Sequence, residues 1–271
     1  MSLSSRVYYR HALIVRVTHW LNAGCFLVML MTGLQIFNAH PALYLGKTSD
    51  FGQPVLEISA KSDPARGVTS LFGHEVTTTG ALGLFPTANG GAVPRAFPAW
   101  ATLPGPQSLA DGRRWHFFFA FALVGNAALY WLYGLASRHL WRDLTPTRAE
   151  LAALPHTALD HLRLRFPHGT QALRYNGLQQ LTYLLVVVVL FPLLLLSGLT
   201  MSPRLDAEWP WLLDLFGGRQ SARAVHFLMA FSLVGFVLVH VAMVVLSGFG
   251  NNLRSMITGR YAISEDGGDA A

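Results

Sequence analysis

The sequence predicts an all-α integral membrane protein: a four-helix bundle with one long extracytoplasmic loop. Three observations lead there. Of 271 residues 52% are hydrophobic and only 13% charged, roughly half the charged share of a soluble domain, and the mean hydropathy is +0.37. The apolar residues gather into four stretches, about 17–37, 115–136, 179–201 and 224–248, none containing Asp, Glu or Lys. Each has the length of about 20 residues that a hydrocarbon core roughly 30 Å thick demands. Arginines, finally, crowd the flanks that four alternating spans would place on one side.

Each element follows from its neighbours. Arg6, Arg10 and Arg16 before an apolar run resemble a secretory leader. No small-residue cleavage site follows, and the chain runs on into MTGLQIFNAHP, so 17–37 reads as a retained span. The single cysteine, Cys25, lies inside it, which leaves no disulfide framework and no thiolate metal site. The loop 38–113 is rich in Gly, Pro, Thr and Ala and shows no sustained helical or strand period. A loop of that length without structure of its own is usually functional or a partner surface. Pro192 lies in span three, and Gly24, Gly33, Gly125, Gly134, Gly198 and Gly235 lie in or at the ends of the spans. Such residues permit close helix approach and equally make room for a flat cofactor. The second outer loop, 202–223, carries EWPWLLDLF, whose Trp209 and Trp211 suit interfacial anchors. Residues 1–261 read as one membrane domain and 262–271 as a disordered tail.

Charge orients the chain. The N-terminal tail, the segment 137–177 and the stretch after span four are rich in arginine, so those regions are expected in the cytoplasm with both termini. The net charge of +6 is thus mostly a topology signal. Nucleic-acid binding does not fit, since the basic residues are scattered and no aromatic stripe accompanies them.

Four histidines lie in the spans: His19 in the first, His116 at the start of the second, His226 and His240 in the fourth. Ionisable residues inside a membrane are costly and usually face the bundle interior, where they work. The fourteen-residue step from His226 to His240 rises roughly 21 Å and returns to nearly the same helix face. With alternating spans, His19 and His240 fall near the cytoplasmic side, His116 and His226 near the outer side. Two imidazoles per level, in an apolar bundle, is what a six-coordinate b-type haem requires, its porphyrin supplying the other four nitrogens. Zinc wants three or four protein ligands in one place, and no carboxylate or thiolate lies at these depths.

The segments RHALIVRVTHW (10–20) and RRWHF (113–117), the two histidines of span four and GFGNNLRSMITGRY (248–261) resemble the bacterial cytochrome b561 family. That family includes the cytochrome b subunits of nickel–iron hydrogenases and formate dehydrogenases. TGLQIFNAHP and SMITGRY are most similar to the branch paired with periplasmic molybdopterin oxidoreductases. The likeness covers all four spans and fades in the loop 38–113. It implies two haem b groups, ligands at His19, His116, His226 and His240, and electron transfer in the bacterial inner membrane. The exchange would run between the quinone pool and a periplasmic partner, a molybdopterin oxidoreductase or a soluble cytochrome.

Further residues suggest roles around such a core. Arg16, Arg113, Arg114 and Arg223 lie within a turn of the four histidines, where guanidinium forks suit haem propionates; snorkelling to the interface is the alternative. His40, just past span one, could reach an outer haem edge, while His11, His74, His139, His156, His161 and His168 suit solvated positions. The resemblance implies a quinone site near the inner haem, and Asn176, in YNGLQ at the start of span three, is its polar candidate. Asn at a helix start is also an ordinary cap. Three functions compete. The first is an electron-transfer subunit of a quinone-linked oxidoreductase. The second is a stand-alone superoxide:quinone oxidoreductase, against which the long loops count. The third is a haem-free proton-relay transporter or scaffold, for which no membrane-embedded acid continues the relay.

Overall fold

The computed structural model describes residues 5–87, 89–166 and 169–264. His168 and residues 265–271 lie outside them. Among the described residues, four helices are long and apolar enough to cross a membrane: α1 (Leu13–Phe37), α2 (Leu109–Ala136), α3 (Gly177–Leu199) and α4 (Arg219–Leu246). In each, only 6–22% of the apolar window is buried, so most of these Leu, Val and Phe side chains face outward, as lipid contact requires and water forbids. All four helices start before their apolar runs, because helical geometry carries on through polar first turns such as LADGRR and RQSAR. A π-helical stretch, Leu185–Leu190, precedes Pro192 in α3. Proline has no N–H for the helical ladder, and a locally widened turn is one way to accommodate that.

The chain is mostly helical but not all-α, and the main departure is the loop expected to lack structure. Strands β2 (Ala42–Leu43), β3 (Leu56–Ser62), β4 (Ala65–Leu71) and β5 (His74–Thr77) form an antiparallel sheet in sequence order, and β6 (Gly83–Pro86) pairs with β7 (Ala92–Arg95). Local turn chemistry sets the register. Asp63 and Pro64 link Ser62 to Ala65, and Phe72 and Gly73, both at positive φ (49° and 80°), link Leu71 to His74. Two consecutive left-handed residues make the turn whose twist matches a hairpin. Gly67 and Gly83 bring β4 and β6 together: a Cβ on Gly67 would meet the Leu82 carbonyl at 2.3 Å. Beneath the sheet, Phe37, Leu43, Ile58, Ala96 and Phe97 form a buried cluster. Polar anchors complete the attachment. Asn38 bonds the backbone N–H of Phe97 at 2.8 Å, and Gln35 donates to the Pro106 carbonyl at 2.6 Å.

Contacts divide the chain into two compact units. The loop unit comprises Asn22–Val124 and Leu193–Ala230, and so holds both loops assigned to the outer side. The terminal unit comprises Met1–Leu21, Gly125–Pro192 and Phe231–Ala271, and holds both ends and the 137–176 connection. Its termini pair directly: β1 (Ser5–Tyr9) runs antiparallel to β8 (Arg260–Ser264), after an amphipathic helix α5 (Phe249–Thr258). Ala262, Ile263 and Ser264, expected to open a disordered tail, are therefore strand residues.

Candidate functional site

In the loop unit the structure brings His116 of α2 and His226 of α4 together, ring centroids 6.3 Å apart and planes at 67°. Their Nδ1 atoms are both engaged. The Thr32 hydroxyl donates to the carbonyls of Val28 (2.9 Å) and Met29 (3.1 Å), so its oxygen accepts from His116 Nδ1 at 3.0 Å. Nδ1 of His226 donates to the Leu194 carbonyl at 2.9 Å, with the Ser197 oxygen at 3.4 Å. Ser197 in turn donates to Leu193 at 2.6 Å. With Nδ1 carrying the proton in each ring, Nε2 keeps its lone pair. A glycine follows each hydroxyl residue and packs on the same ring. A Cβ on Gly33 would lie 3.5 Å from His116 Cε1, and one on Gly198 would lie 3.1 Å from His226 Cε1.

In the terminal unit His19 of α1 and His240 of α4 pair at 6.2 Å with planes at 56°. Rings rather than hydroxyls surround them. Trp20 lies edge-on to His19 at 5.2 Å, held by its Nε1 bond to the Met256 carbonyl (3.0 Å), and Phe236 stacks on His240 at 5.6 Å. Nδ1 of His19 is buried with no hydrogen-bond partner among the described residues.

These pairs fit an iron porphyrin. At 6.2 and 6.3 Å between ring centres the two imidazoles of each pair are not in van der Waals contact and would leave room for one metal, bonded at about 2 Å to a nitrogen of each ring. Among the described residues no group of three or more His, Cys, Asp or Glu comes together, so each pair offers a metal two protein ligands and leaves four positions to the macrocycle. Glycines supply clearance: a Cβ on Gly125 or Gly235 in the terminal unit, or on Gly24 in the loop unit, would meet nothing within 4 Å. Gly33 and Gly198 instead pack on the rings of His116 and His226.

The arginines differ. Arg223 donates to the carbonyls of Ala42 (2.8 Å) and His40 and lies over the Phe37 ring, which ties the loop sheet to α4. Arg113 lies over Phe117, and Arg114 pairs with Asp111 at 3.6 Å while 79% exposed. Arg16 donates to the Ile257 carbonyl at 2.5 Å and borders a largely apolar cavity of about 470 Å³ with Trp20 and Met256. Asn176 caps α3 in a reciprocal capping box with Gln179, and its amide nitrogen lies 3.4 Å from His161 Nε2. His40 stacks on Tyr44, and His139 and His156 bond to Asp143 and Asp160 one turn on. His74 lies in exposed β5.

Two features went unread in the sequence. One is the Thr32–Gly33 and Ser197–Gly198 seats, whose signal was the repeated hydroxyl–glycine step in MTGL and LSGL. The other is His11, which is 8% exposed and shares a bond of 3.4 Å with the Tyr175 hydroxyl. Burial, helped by Arg10, lowers its pKa to about 4, and burial raises that of Tyr175.

A family model described as prokaryotic cytochrome b561 matches residues 10–259. A protein of Azospira oryzae, whose name gives it as a candidate protein-methionine-sulfoxide reductase subunit, YedZ1, is 29% identical over 244 residues, covering 90% of this chain and 94% of the relative. No solved structure matches the chain.

Proposed function

The chain belongs to the prokaryotic cytochrome b561 family, haem-binding membrane proteins of transmembrane electron transfer, and from that membership we propose a di-haem b subunit that carries electrons between quinone and an extracytoplasmic redox enzyme. The observation that carries the proposal is the pairing of His19 with His240 and of His116 with His226 at 6.2 and 6.3 Å. When bound, two haems supply one-electron carriers within the apolar helices.

The chain's own residues do the rest. In the loop unit the two seated imidazoles present Nε2 to one centre, and the sheet anchored by Arg223 forms the surface toward the partner. A molybdopterin oxidoreductase is the proposed partner, in keeping with a relative named as a reductase subunit. In the terminal unit quinone exchanges beside the other pair. Asn176 offers its amide, and His161 next to it can take a proton as quinol is oxidised. The apolar cavity at Trp20 and Arg16, whose Trp20 lies edge-on to His19, suits a lipid-soluble substrate. Arg16, Arg113 and Arg114 are the proposed propionate partners, whereas Arg223 holds the loop. In this proposal the terminal unit and both termini are cytoplasmic and the membrane is the inner one, in keeping with the arginine-rich flanks.

Reduction of the purified protein by a quinol analogue, followed optically, tests the proposal. Haem bands that rise with quinol and fall on addition of an oxidised periplasmic enzyme are expected; bands that respond to dithionite but never to quinol would overturn the quinone role.

A further inference from the structure

The two histidines of the loop unit share a kind of seat that His19 of the terminal unit does not find among the described residues. On α1, Thr32 accepts from His116 Nδ1 while Gly33 lies against Cε1 of the same ring. On α3, the Leu194 carbonyl accepts from His226 Nδ1 at 2.9 Å with the Ser197 oxygen at 3.4 Å, while Gly198 lies against that ring's Cε1. Both hydroxyls direct their own hydrogens to carbonyls three or four residues back, so toward the histidine they can only accept. Both are fully buried, at 0% exposure. The same two-residue device thus occurs on two helices, each copy turned toward one member of one pair. The terminal unit offers His19 Nδ1 no acceptor among the described residues.

We infer that Thr32–Gly33 on α1, and Ser197–Gly198 together with the Leu194 carbonyl on α3, are positioning seats that fix the Nδ1–H form and the tilt of the two loop-unit imidazoles, and thereby set the potential of that haem below the value unseated ligands would give. The inference rests on the proposed haem ligation. An acceptor on Nδ1–H makes the imidazole a stronger donor through Nε2, and stronger donation favours the ferric over the ferrous state. Glycine completes the seat because a side chain there would press on the ring: at Gly198 a Cβ would lie 3.1 Å from Cε1, close enough to force a tilt.

The test is a potentiometric titration of the purified full chain, read optically and by electron paramagnetic resonance, for wild type, Thr32→Val, Thr32→Ser and Gly198→Ala. Valine keeps the shape of threonine and loses the acceptor; serine keeps the acceptor. Thr32→Val should shift upward the component that His116→Ala removes and leave the other in place, and Thr32→Ser should return it. Gly198→Ala should alter the low-spin signal of that same component. If Thr32→Val keeps its haem with an unmoved potential, or if Thr32→Ser shifts as far as valine, the seats are packing alone and the inference falls. Should Thr32→Val lose haem, an unchanged low-spin signal in Gly198→Ala overturns it instead. Wild-type protein without haem b would overturn the ligation and the inference together, whereas an unmoved potential in haem-loaded Thr32→Val overturns the seats alone.

Discussion

The loop unit and the terminal unit each hold one histidine pair at almost the same separation, yet the surroundings differ in kind. In the loop unit each Nδ1 has an acceptor and each ring a glycine beneath it. In the terminal unit the neighbours are Trp20 and Phe236, and His19 Nδ1 is buried without a partner among the described residues. The spacing of the rings is therefore set by helix geometry, which both units share, whereas their hydrogen bonding is set by the side chains and carbonyls packed around each ring.

Removing ligands should split the comparison most sharply. His116→Ala and His226→Ala should each lose or convert to high spin about half of the haem, with one shared spectral change, and His19→Ala and His240→Ala should share another. Spectra in which His19→Ala matches His226→Ala would break the assignment of pairs to units.

The loop unit depends on its anchor. Arg223→Ala removes two charge-assisted bonds to the carbonyls of His40 and Ala42, a loss of about 3 kcal/mol. The melting temperature in detergent should drop and proteolysis should quicken within 38–108, with Arg223→Lys a partial rescue because its single ammonium cannot span both carbonyls in a fork. An unchanged melting temperature in Arg223→Ala would remove the anchor from the account.

The terminal unit should be the acid-sensitive one. Folded, His11 stays neutral until the pH falls to about 4, against 6.5 for an unburied histidine. Its contribution is complete above pH 6.5 and is lost as the pH falls from 6.5 toward 4, because the unfolded chain takes up the proton first. Thermal melts across that range should show His11→Gln losing less stability than wild type, by on the order of 2 kcal/mol; parallel curves would contradict it. A smaller effect separates cap from ligand at Asn176. Asn176→Ser keeps a capping oxygen and Asn176→Ala does not, so only alanine should cost about 1 kcal/mol. Slowed reduction by quinol in the stable serine variant would then report the amide itself; normal rates would return Asn176 to its cap.

Long-range patterns were legible in the sequence, and short two-sided ones were not. The four spans announce themselves because twenty apolar residues in a row have few soluble explanations, and the histidine pairs follow from helix rise and alternation. The outer sheet did not announce itself. Strand β5 is exposed along its whole length and β4 buries only Val68 and neighbouring Gly67-side positions in mid-strand, so no alternation of apolar and polar residues marks them. The Asp63–Pro64 and Phe72–Gly73 turns were the available local signals. Pairing of Ser5–Tyr9 with Arg260–Ser264 joins opposite ends of the chain, and nothing local in either segment points to the other. The seats of Thr32 and Ser197 were visible only as residues, since an acceptor role needs the partner ring in place.

Haem content bears most directly on the central claim, that each unit holds one iron between its two histidines. A pyridine haemochrome assay, set against protein by amino-acid analysis, should return two haem b per chain in the wild type, falling to one in His116→Ala. A single haem in the wild type, a covalently attached haem, or none would contradict it.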